Sequence, residues 1–227
     1  MRKLIVFLIL LVVLLVVLDR VAVAGVQSEI ARQVAARYDL DAEPEVRIDG
    51  IPFLTQAISG RYDEIQVDMG PMSLEGIQLA GVHATLYGVS APLSDLIQNS
   101  AQAQITAERV TGAVVVPLET IERRAPEGVN LEGDGDGLKV SGEISVRGVR
   151  VPVEAGVRIE VLDGGVRLTP RNVTLAGGIP VPAETTRSLT YTIPIENLPL
   201  DLKLTEVKNT PEGLQVTGEA TDVPLRG

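Results

Sequence analysis

From Glu45 onward nearly every stretch of this chain alternates with period two, and that alternation constrains the fold more than any other feature. The runs "EVRID", "RYDEIQVDM" and "GIQLAGVHATLYGV" come first. "QITAERVTGAVVV", "GLKVSGEISVRGVRVPVEAGVRIEVL", "GVRLTPRNVTLAG", "LPLDLKLTEVKNT" and "GLQVTGEATDVPL" follow. Each is rich in β-branched residues and bounded by Gly, Pro, Asn or Asp, the pattern of a strand with one face buried and one face wet. Short turns such as Asp163-Gly164-Gly165 and Pro211-Glu212-Gly213 suit hairpins, so antiparallel meanders are expected. "GLKVSGE" at 137–143 returns as "GLQVTGE" at 213–219. Two hairpins solving one turn problem would produce that echo, and so would duplication of a β-unit.

Three segments break the alternation with a helical pattern. In "VQSEIARQVAARY", Val26, Ile30, Val34 and Tyr38 recur every four residues with Ala31 and Ala35 beside them. That helix should end before Pro44, which biases Glu43 away from the α region. "APLSDLIQNS" at 91–100 and "PLETIERRA" at 117–125 also look helical, with Pro117 suited to a first turn. One long helix and eight or more strands make an α+β domain. An extended antiparallel sheet must cover its apolar face. The amphipathic helix is the element to do so, lying inside a strongly curved sheet.

The amino terminus is different in kind. Arg2 and Lys3 precede an uninterrupted apolar run from Leu4 to Leu18. A membrane span takes about 20 residues, with a lower limit near 17, and Val21 to Ala24 extend the run past Asp19 and Arg20. Ala22-Val23-Ala24 has the small-x-small form of a signal-peptidase site. Two outcomes stay open: residues 4–18 anchor the chain, or it is released after Ala24. The two cations favour a cytoplasmic amino terminus, with the remainder on the extracytoplasmic side of the plasma membrane. The expected organisation is therefore 1–24 as anchor or signal peptide and 25–227 as a single domain.

Composition excludes several functions. Without cysteine there are no disulfides, thiolate nucleophiles or Cys-based metal sites. The net charge is −10, and near −12 from Gly25 on, with no basic stripe for phosphates, so nucleic acid is not an expected partner. The sole histidine, His83, has no G-x-S-x-G elbow to serve and reads as a strand residue sharing a face with Thr85 and Tyr87. "EGDGDGLKV" at 132–140 starts like a calcium loop, but Leu138 stands where an oxygen ligand is needed and Ser145 where the loop wants Glu. No catalytic residue, metal site or cofactor is expected, and the chain is not expected to be an enzyme.

What remains is an apolar stretch, "GIPFLTQAISGRYDEI" at 50–65, which holds one of only two phenylalanines. Aliphatic linings suit acyl chains, since each buried methylene is worth about 0.8 kcal/mol. Together with "LYGVSAPLSDLI", "ITAERVTGAVVVPLETI" and "EGLQVTGEATDVPL", this stretch resembles the bacterial LmeA-like phospholipid-binding family of the cell envelope. The resemblance covers residues 25–227, with "PFLTQ" and "PLSDLI" its most specific parts. It implies a tubular-lipid-binding, BPI-like architecture in which a curved antiparallel sheet wraps a long helix around a lipid groove. It further implies phospholipid as the partner, with a role in carrying lipid across the periplasm or supporting envelope lipid and lipoglycan biogenesis. On this reading Ile51, Phe53, Leu54 and Ile58 sit at the mouth or wall of the groove, and Leu93, Leu96 and Ile97 help close it. The alternative is a membrane-anchored envelope scaffold that recruits protein partners through exposed sheet edges.

Overall fold

A computed structural model of the chain describes residues 2–74, 76–91, 104–123, 130–135, 137–146, 149–162, 165–175, 178–180, 190–194 and 199–226. The fold is α+β, a long amino-terminal helix with extensive antiparallel sheet, as the alternation predicts. The chain divides into two compact units. The first comprises Met1–Gly70, His83–Thr111 and Ala220–Gly227, and the second Pro71–Val82 and Gly112–Glu219.

In the first unit, helix α1 runs unbroken over Arg2–Tyr38. Sequence reading divides this segment at Gly25, but Gly25 lies in open space inside the helix, where its missing side chain costs propensity without ending the element. The helix stops where expected. Asp39 turns left-handed at φ 50°, and the Leu40 N–H returns to the Ala35 carbonyl at 3.0 Å, closing the last turn.

Strand β1 (Glu45–Asp49) pairs antiparallel with β2 (Arg61–Met69), placing Val46 opposite Val67 and Ile48 opposite Ile65. The order continues through β5 (Gly81–Ser90) and β6 (Ile105–Val116) to β14 (Gly213–Arg226), three strands that contribute residues to both units. The carboxyl-terminal half of α1 lies on this sheet: Ala31 packs with Val46 and Val67, and Ile30 and Val34 flank them. The expected stripe holds at Ile30, Ala31 and Val34, whereas Val26 and Tyr38 are exposed. The buried stripe instead reaches back to Val23 and Asp19.

The second unit begins with the small hairpin β3 (Met72–Leu74) and β4 (Ile77–Leu79) and includes the short helix α3 (Leu118–Glu122), capped by Pro117 rather than containing it. Its main sheet has the order β11-β10-β9-β8-β7. These strands are β7 (Asn130–Asp134), β8 (Gly137–Val146), β9 (Val149–Leu162), β10 (Gly165–Leu175) and β11 (Ile179–Pro180). Strand β12 (Tyr191–Pro194) pairs with β10, and β13 (Lys203–Thr210) pairs with β14. The "GLKVSGE" echo has a local cause. Gly137 pairs with Asp134 and Gly213 with Thr210, so each glycine opens the second strand of a hairpin with a two-residue loop. A Cβ there would meet a backbone carbonyl, Val157 at 2.5 Å or Val116 at 2.2 Å. The same steric demand selects the same residue twice.

Candidate functional site

Two features of the described residues present aliphatic side chains at or near the surface, one in each unit. In the first unit the "GIPFLTQAIS" stretch folds into a short helix, α2 (Phe53–Ser59), ended by Gly60 in the left-handed region at φ 68°. The helix has no local side-chain cap at Pro52. Its cap arrives from elsewhere: the Leu54 N–H donates to the Asp19 carboxylate at 2.8 Å, across 35 residues of sequence. Asp19 is itself only 5% exposed and also binds the Arg20 guanidinium. Gln56 completes the clamp, donating to the Asp49 carbonyl at 3.0 Å and accepting from the Asp63 N–H at 2.9 Å. At the far end the Ala91 N–H donates to the Gly60 carbonyl at 2.8 Å.

This clamp sorts the predicted site residues. Phe53 is 2% exposed and joins Val23 and Ile48 in a core cluster, with Leu54 partly buried against it. The Phe53 ring lies 6.1 Å from that of Tyr62, whose phenol is pushed above its ordinary pKa by burial. Ile51 and Ile58 point away, 83% and 80% exposed. So α2 turns Phe53, Gln56 and Ala57 inward and leaves Thr55, Ile58 and Ser59 exposed, and Ile51 and Pro52 just before it are exposed as well. Leu93, Leu96 and Ile97, and with them nearly all of the helix expected at 91–100, lie outside the described residues. The apolar run from Leu4 to Leu18 is exposed along its whole length, and α1 is long and apolar enough to cross a bilayer.

In the second unit the feature is a sheet face. Register places Leu138 beside Val157 and Val140 beside Ala155. On the other side of β9, Val161 meets Val166, Ile159 meets Leu168 and Val157 meets Pro170. Residues directly opposite in an antiparallel pair share a face, and alternate residues of a strand share it too. Val151, Val153, Ala155, Val157, Ile159 and Val161 therefore form one aliphatic row about 33 Å long. Leu138 and Val166 are buried, while the β9 row, Val140 and Leu168 are only partly so. The charges all go to the opposite face, where Lys139 pairs with Glu154 at 3.2 Å and Arg158 with Glu160 at 4.0 Å.

The polar cluster around Asp68 is a set of ion pairs. His83 Nδ1 lies 2.7 Å from Asp68, which also accepts from Arg47 at 2.9 Å. The His83 hydrogen bond, aided by Arg47, holds the Asp68 carboxyl below its ordinary range. This is an exposed ion-pair patch of the kind that contributes little. Among the described residues no group of His, Cys, Asp or Glu is arranged to hold a metal ion.

Sequence reasoning missed Asp19 and Gln56. An acid at the end of an apolar helix was the available signal for the first; nothing local announced the second. It did not single out the β9 face, although its alternation was plain.

A family model, LmeA-like phospholipid-binding, matches residues 17–219. No curated protein and no solved structure matches the chain significantly.

Proposed function

The chain belongs to the LmeA-like phospholipid-binding family, and from that premise we propose that it holds phospholipid acyl chains on the aliphatic face of β8, β9 and β10. One observation carries this reading: the face has no charge, the ion pairs of these strands lie on the reverse, and the β9 row, Val140 and Leu168 are only partly buried. Apolar area left at a surface costs about 25 cal/mol per Å², and an acyl chain laid along β9 would recover it. Ten covered methylenes amount to roughly 8 kcal/mol before ordering costs, enough for binding with little headgroup recognition. The protein in this reading is non-catalytic. It carries lipid across the periplasm or supports envelope lipid and lipoglycan biogenesis, and it uses the curved tubular architecture that the resemblance implies. Ile51, Ile58, Leu93, Leu96 and Ile97 belong to its lipid-contacting set, while Phe53 and Leu54 shape the support beneath Ile51 and Ile58.

The same reading retains the amino-terminal segment as a membrane anchor, with the rest of the chain outside the cytoplasm. Cleavage after Ala24 would remove the Asp19 cap from α2 and take Ala22 and Val23 out of the Phe53 cluster. The family match, which begins upstream of that point, supports retention.

Native mass spectrometry of the chain released from nanodiscs, with organic extraction alongside, tests the function. One or two phospholipids per chain are expected. A bare chain that also resists loading from liposomes would overturn it, and a chain that emerges only with protein partners would make it a scaffold.

A further inference from the structure

We propose that α2 and the residues that lead into it form a membrane foot: the exposed side chains of Ile51, just before the helix, and Ile58, on it, rest in the headgroup–acyl boundary of the same bilayer that holds Leu4–Leu18. The proposal rests on the reading of α1 as a retained anchor and adds to it a second, independent point of lipid contact.

The reason is axial register. Because α1 is continuous, Leu18 ends the apolar run and Asp19 is the first polar residue beyond it, one step of about 1.5 Å further along the helix. A carboxylate cannot sit in hydrocarbon cheaply, so Asp19 marks the edge of the bilayer core. Its oxygen is hydrogen-bonded at 2.8 Å to the Leu54 N–H, which fixes the first turn of α2 at that same height. At that level water gives way to lipid, and there the protein places two isoleucines with at least four-fifths of their surface uncovered.

The chemistry of the face agrees. No charged residue occurs between Asp49 and Arg61, and the outer positions besides the isoleucines are Pro52, Thr55 and Ser59, none costly in the interfacial zone. A protein with a net charge of −10 gains nothing from approaching anionic headgroups electrostatically, so an uncharged apolar contact is the kind open to it. The three clamps on α2, from Asp19, Gln56 and Ala91, hold the isoleucines outward before any lipid arrives, so little ordering is needed on contact.

The chain has no cysteine, which makes the test direct. Single-cysteine variants Ile51→Cys, Ile58→Cys, Leu11→Cys and Arg37→Cys of the full chain would be labelled with a nitrobenzoxadiazole probe in phosphatidylcholine–phosphatidylglycerol vesicles. Arg37 lies about 27 Å further along α1 than Asp19 and reports the water side. The probes at Ile51 and Ile58 should be quenched several-fold more by nitroxide lipids labelled near the headgroup than the probe at Arg37, and be shielded from aqueous iodide. The Leu11 probe should respond to nitroxides deep in the acyl region. A Leu11 probe in lipid with iodide-accessible probes at Ile51 and Ile58 would overturn the foot and leave the anchor standing. A Leu11 probe in water would remove both. Probes at Ile51 and Ile58 shielded from iodide yet untouched by nitroxide lipids would mean that protein covers α2, which also overturns the foot.

Discussion

The two units use aliphatic side chains in opposite ways. In the first, a few hydrogen bonds, one of them across 35 residues, hold α2 with Phe53 inward at 2% exposure and Ile58 outward at 80%. In the second, the pleat itself does the sorting, and a row of four valines with Ala155 and Ile159 on β9 shares one face with Leu138, Val140, Val166 and Leu168. One unit gathers its apolar residues into a core and leaves Ile51 and Ile58 exposed; the other spreads them along a sheet face that is buried at Leu138 and Val166 and partly open along β9. The difference teaches that hydrophobicity alone does not separate structural from functional positions in such a chain. What separates them is whether a polar clamp closes the surface around them.

The comparison can be broken most easily at Phe53. Phe53→Ala empties a packed site and should cost about 3–5 kcal/mol in urea unfolding. Ile58→Ala, five residues on, should stay within about 0.5 kcal/mol. Equal losses at both positions would mean that α2 has no inner and outer face.

The next largest effect is expected on the second unit's face. Ile159→Asp places a carboxylate where an acyl chain should lie and should weaken phospholipid binding by about tenfold or more, equivalent to at least about 1.4 kcal/mol. Arg158→Ala, on the reverse, should leave the affinity unchanged. Lipid-binding titrations that found Arg158 the more sensitive would reverse the assignment of faces.

Asp19→Ala should lower the thermal midpoint of the full chain by taking the cap from α2, and Asp19→Asn, which keeps an acceptor oxygen, should restore part of it. Indistinguishable midpoints for the three proteins would detach α2 from α1.

The smallest effect concerns pH. Asp68 is held below its ordinary value of 3.8 by its bond to His83 and by Arg47. Its contribution is complete above that value and is lost as the pH falls through the lower folded pKa, because the unfolded carboxylate takes up its proton first. Asp68→Asn should flatten stability in that acid window by about 1 kcal/mol or less, as an exposed pair allows. An unaltered acid limb in the variant would show that Asp68 is not its source.

Much of the second unit was legible in the sequence because period-two alternation over β8, β9 and β10 reports directly on which residues share a face. The hairpins at Gly137 and Gly213 and the helix at Leu118–Glu122 were legible for similar local reasons. Helix α2 was not. At seven residues it is too short for a hydrophobic period to sort Ile51, Phe53, Leu54 and Ile58. Isolated helices of that length are unstable, so its existence depends on Asp19, which no local rule connects to Leu54. The stripe on α1 was misjudged at Val26 and Tyr38 for a related reason: the helix alone offers several apolar lines, and the position of β1 and α2 selects the one through Asp19, Val23, Ala31 and Val34.

The most direct test of the account is photocrosslinking with a phospholipid bearing a diazirine in its acyl chain, loaded onto the chain and mapped by peptide mass spectrometry. Adducts concentrated on Val140, Val153, Val157, Ile159 and Leu168, and absent from Lys139 and Arg158, are the predicted result. Adducts spread equally over both faces of β8–β10, or confined to residues outside that sheet, would contradict it.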